Sequence, residues 1–128
     1  MRGASALGKL LAAHPEADVR VMVIWLPVLD SDKGPPRDKV RRPLRDPRVT
    51  EYWDPERWAS PRMLERASLV MRARGEEPDF GPDAVAWDVI ALFPAGVVWE
   101  DPFPAPTWWD APVEDALEPV AKVLSDAR

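Results

Sequence analysis

Two hydrophobic periods alternate along this chain, one of three to four residues and one of two. Leu7, Leu10, Leu11 and His14 fall on one helical face, which predicts a helix over Ser5–His14 that Pro15 stops. From Asp18 to Val28 the period changes to two. Val19, Val21, Val23 and Trp25 alternate with Arg20, Met22, Ile24 and Leu26, and both sides turn apolar toward the end. That pattern suits a central strand covered on both faces. Asp30–Pro36 is rich in turn residues, and a short helix is expected over Pro36–Leu44, limited by Pro43. Arg48–Trp53 has the β-branched and aromatic content of a second strand.

Asp54-Pro55 and Ser60-Pro61 both have the form of a helix start. Met63, Leu64, Ala67, Val70 and Met71 then give the apolar face, and Gly75 suits the stop. Trp87–Phe93 reads as a third strand, Pro94–Gly96 as a tight turn and Val97–Glu100 as a fourth strand, so this pair is expected as a hairpin. A last helix is predicted over Val113–Asp126, with Pro119 kinking it or fraying its first turns. Strands joined by a crossover helix run parallel and right-handed. The expected fold is therefore α/β: one domain over 128 residues, with a mixed four-stranded sheet flanked by about four helices.

Composition removes whole classes of chemistry. The chain has no Cys, which excludes disulfides, zinc–thiolate sites, iron–sulfur clusters and a Cys nucleophile. Its single His, His14, excludes a multi-His metal site within one chain and disfavours a Ser–His triad. A formal charge of −5 argues against general binding of nucleic acid or anionic membranes. The longest nearly apolar run, Val21–Leu29, is too short to span a bilayer, and residues 1–14 hold no signal-peptide core. A cytoplasmic protein is the expectation, with no cofactor.

The element order resembles that of the thioredoxin-like superfamily. Where thioredoxins end a strand in Trp-Ala-Pro-Trp-Cys-Gly-Pro-Cys, this chain has Trp25-Leu26-Pro27-Val28-Leu29-Asp30-Ser31-Asp32. Trp25 and Pro27 match, while Leu29 and Asp32 stand at the cysteine positions. Ile90-Ala91-Leu92-Phe93-Pro94-Ala95-Gly96 is similar to the later strand and turn of thioredoxins. The cis-proline that precedes that strand would fall near Asp88, where there is no Pro. Trp25–Val28, Asp46–Val49, Tyr52–Pro55 and Trp87–Val89 also resemble an uncharacterised group of Cys-poor bacterial thioredoxin-like proteins. The resemblance implies a thioredoxin-like scaffold and carries no activity with it; combined with the missing Cys pair, it makes a redox-inactive protein- or ligand-binding module the expected role.

In such a scaffold Asp30, Asp32, Trp53, Asp54, Trp87 and Asp88 would gather at the carboxyl end of the strands, where open α/β sheets take their ligands. Carboxylates there suggest an alternative, an enzyme that uses Asp30, Asp32 and Asp88 directly or through a divalent cation. The plainer reading makes Asp54 a helix cap, Asp30 and Asp32 turn residues, and Trp25, Trp53 and Trp87 core. Trp108 and Trp109, in a Pro-stiffened loop, form a second candidate surface for a protein partner, or else a packed lid. The basic stretch Lys33, Arg37, Lys39, Arg41, Arg42, Arg45 and Arg48 suits an acidic or phosphate-bearing partner, or a solvated face balanced by Asp38 and Asp46. A homo-oligomer joined through the fourth strand's edge or the Trp loop is a third possibility.

Overall fold

A computed structural model describes residues 2–127. The elements are α1 (Arg2–Ala13), β1 (Val21–Trp25), α2 (Asp38–Arg41) with a 3-10 turn (Arg42–Leu44), β2 (Val49–Trp53), α3 (Ala59–Ala73), β3 (Ile90–Leu92), β4 (Trp108–Asp110) and α4 (Leu117–Asp126). The chain is thus mixed α/β. β1 and β2 pair in parallel, Val21 opposite Val49 and Trp25 opposite Trp53. β3 and β4 pair antiparallel, Ile90 opposite Asp110 and Leu92 opposite Trp108. The strands make two sheets of two, where the sequence suggested one sheet of four.

The expected hairpin needs the largest correction. Pro94–Gly96 does turn, with Gly96 in the left-handed region that glycine favours, but Val97–Glu100 forms no ladder. Trp99 packs edge-on against Phe93 and lies 4.8 Å from Phe103 between ring centroids, so side-chain stacking holds this segment. The partner of β3 is Trp108–Asp110. The third strand itself shrinks to Ile90–Leu92, and α4 starts at Leu117, four residues later than expected. Pro119 therefore sits in the first turn of α4, where its missing N–H costs nothing.

Leu11, at 1% exposure, forms the centre of the core with Ala17, Val120 and Leu124. Val21, Val49, Ile90, Leu92 and Trp108 pack around it, so both sheets share one core. α3 ends in a Schellman motif. Gly75, at φ +78°, donates to the Arg72 carbonyl, and Glu76 donates to that of Met71.

Arg48 ties the first half together. Its guanidinium donates to the carbonyl oxygens of Leu11 (2.8 Å) and His14 (2.6 Å), satisfying the carboxyl end of α1. It also forks onto both Asp46 carboxylate oxygens, at 2.9 and 2.7 Å. The cation that complements the carboxyl end of α1 is therefore Arg48, at the entrance to β2. These Arg48 bonds hold the Asp46 carboxyl at about 2, well below its ordinary 3.8. The folded value lies below the unfolded one, so this stabilisation is complete above about pH 4 and is lost as pH falls toward 2. Asp46→Asn should be about 1–2 kcal/mol less stable near pH 7 and should show a shallower acid limb from pH 4 to pH 2 in urea unfolding.

Candidate functional site

The parallel pair ends at Trp25 and Trp53, and the two loops that leave it are pinned to each other. Asp32 accepts the backbone N–H groups of Val28 (2.9 Å) and Leu29 (2.8 Å), closing a tight turn after β1. Those bonds lower the Asp32 pKa, the Leu29 bond most. Arg57 reaches across from the loop after β2 and donates to the carbonyls of Pro27 and Val28. Its φ of +56°, uncommon for a side-chain-bearing residue, turns the chain toward α3. Asp54 accepts the N–H groups of Trp58 and Ala59, both at 2.9 Å, and so satisfies donors at the start of α3.

Two depressions adjoin at this end and share Trp53 and Pro55. The first, of ≈ 530 Å³, is walled by Leu29, Asp30, Asp32, Lys33, Glu56 and Arg57. The second, of ≈ 360 Å³, runs over the outer face of β1 and β2 and is lined by Met22, Ile24, Tyr52, Trp58, Ala59 and Trp99. Tyr52 is 51% exposed and Trp58 42% exposed. Arg62 lies 4.0 Å over the Trp58 ring, which fixes that ring in place. The result is one cleft with a charged end and an aromatic end.

Asp30, Asp32 and Trp53 occupy the expected site, with Asp54 beside them in its capping role. Trp87 and Asp88 do not join them. Asp88 lies beside Gly3 and Val113 at the start of α1, and its carbonyl accepts the Val113 N–H. Trp87 is 63% exposed and precedes β3, so it is neither core nor part of this cleft. The three carboxylates Asp30, Asp32 and Asp88 consequently form no joint cluster. Among the described residues no three His or carboxylate side chains are placed to hold a metal ion.

Trp108 and Trp109 point to opposite sides of β4, as adjacent residues of a strand must. Trp108 packs against the core, and Trp109 meets Phe80 at 5.8 Å between ring centroids. Both are half-buried, which makes them a packed edge. The basic stretch is largely tied down. Arg41 pairs with Glu51, Arg42 and Arg45 share Asp38, and Arg48 holds Asp46. Among the described residues no helix is long and apolar enough to cross a membrane.

No family model, curated protein or solved structure matches this chain. The site is therefore interpreted on its own chemistry.

Met22, Tyr52, Trp58, Trp99 and Arg57 were not singled out from the sequence as site residues. One signal was present. Met22, Ile24 and Tyr52 put apolar bulk on the second side of both strands, and no element covers that side fully.

Proposed function

We propose that this chain is a thioredoxin-like binding module without thiol–disulfide chemistry, and that it takes an extended peptide segment or small ligand in the cleft at the carboxyl end of β1 and β2. Three features support the scaffold part of this reading: the order of helices and strands, the parallel first pair and the antiparallel second pair. The absence of Cys supports the redox part.

The observation that carries the binding part is the exposed aromatic wall of Tyr52 and Trp58, continuous through Trp53 with a charged pocket. Rigid aromatics half open to water have apolar area to bury and few rotamers to lose, which is why such residues dominate binding energy at interfaces. The alternative built on catalytic or cation-binding carboxylates is not favoured, because Asp54 spends both oxygens and Asp32 one oxygen on backbone N–H groups, and Asp88 lies elsewhere.

Selection from a displayed peptide library tests this reading. Selected peptides should bind the native chain and lose about thirtyfold or more in affinity on Trp58→Ser or Tyr52→Ser, and Tyr52→Ser should leave the thermal melt little changed. Peptides whose affinity is indifferent to both substitutions would contradict it. Reduction of insulin by dithiothreitol should proceed at its uncatalysed rate in the presence of the protein.

A further inference from the structure

The charge of this chain is divided by region. Residues 33–48 hold seven Lys and Arg against two Asp, although the whole chain carries −5. Residues 76–126 hold twelve carboxylates against a single cation, Lys122. A basic segment and an acidic segment therefore lie along one chain, with Arg2 and Arg62 reaching Glu114 and Asp101 of the acidic one.

Each segment has an ordered surface. On the positive side, Arg42 and Arg45 are fixed by Asp38 and remain about two-thirds exposed, at 67% and 65%. Arg37 and Lys39 are exposed beside them and pair with no carboxylate among the described residues. The 3-10 turn beneath is anchored by Leu44, at 3% exposure. On the negative side, residues 76–83 hold four exposed carboxylates (Glu76, Glu77, Asp79 and Asp83), following the exposed Arg72 and Arg74 at the end of α3. The Schellman turn at Gly75 fixes one end of this loop, and Phe80 against Trp109 fixes its middle. No ion pair joins the two surfaces within the described residues.

We propose that two copies of this chain associate through a two-fold arrangement, the basic face of α2 and the 3-10 turn in each copy resting against the acidic loop 76–83 of the other. A two-fold contact uses both surfaces of both molecules and leaves neither open to chain growth. Charge complementarity selects the occupant. A second copy brings a matched acidic loop at equal concentration, already ordered. A long polyanion such as nucleic acid would run from the basic face onto the acidic remainder and be repelled there. Exposed ion pairs are individually weak and screened by salt, so the dimer is weak and salt-sensitive.

Sedimentation equilibrium at about 100 µM tests this. The chain should be largely dimeric near 25 mM salt and weaken by roughly tenfold or more toward 300 mM. Arg37→Glu with Lys39→Glu should be monomeric alone, and so should Glu77→Lys with Asp79→Lys. Mixed together, the two variants should form a heterodimer, because one then carries two negative surfaces and the other two positive ones. A monomeric native chain at low salt would overturn the proposal, and so would a dimer that strengthens with salt or persists in either variant alone. The peptide-binding cleft contains none of these four residues, so failure here leaves the reading of the cleft standing.

Discussion

Gly8→Ala should destabilise the fold by about 1–3 kcal/mol or more, although in an exposed helix the same change stabilises by up to about 1 kcal/mol. The reversal comes from the crossing of α1 over the 3-10 turn. A Cβ at Gly8 would run into the Pro43 carbonyl oxygen and lie 2.8 Å from its carbonyl carbon. Both are backbone atoms, so no side chain can rotate away. Either α1 lifts from the turn, exposing the apolar surface around Leu11 and Leu44, or the turn unwinds. Urea unfolding should show a lower midpoint. Gly34, which has open space around it, serves as the control, and Gly34→Ala should leave the midpoint nearly unchanged.

Arg48→Ala should cost about 2–3 kcal/mol, because it removes several charge-assisted hydrogen bonds from a partly buried site at once. The Arg48 side chain is only 16% exposed, and its loss removes one donor each from the Leu11 and His14 carbonyls and leaves the Asp46 carboxylate without its cation, with only the Arg48 backbone N–H still bonded to it. In a chain of this size that corresponds to a fall in melting temperature of roughly 10 °C. Arg48→Lys should recover only part of the loss, since one ammonium cannot reach two carbonyls of α1 and fork onto a carboxylate at once. Double substitution with Asp46→Asn should cost less than the sum of the single changes, because the unpaired carboxylate is then gone.

Strong periods in the sequence led to correct elements. α1, β1, β2, α3 and α4 each carry a run of apolar positions long enough to fix type and face, and Gly75 ended α3 where expected. β4 was not legible. Trp108–Asp110 is three residues long and lies between Pro106 and Pro112, so alternation had no length in which to show. Val97–Glu100 carried the better strand propensity, yet it forms no ladder and Trp99 packs on Phe93 and Phe103 instead.

The site was half legible for similar reasons. Asp30, Asp32 and Trp53 follow or end two strands whose parallel pairing the sequence implied, so their meeting could be inferred. Trp87 and Asp88 could not be placed the same way, because their position depends on where β3 begins and on α1 packing beside Val113. Arg57 left no trace in the sequence at all. Its role rests on a left-handed φ and on two carbonyls of a distant loop.

The central claim is that the Tyr52–Trp53–Trp58 cleft is the binding surface. The indole N–H signals of the seven Trp residues test it in one spectrum. Titrating a library-selected peptide into ¹⁵N-labelled protein should shift the Trp53 and Trp58 indole signals progressively and leave Trp87 in place. Shifts centred on Trp87 or Trp109, with Trp53 and Trp58 unmoved, would contradict the account.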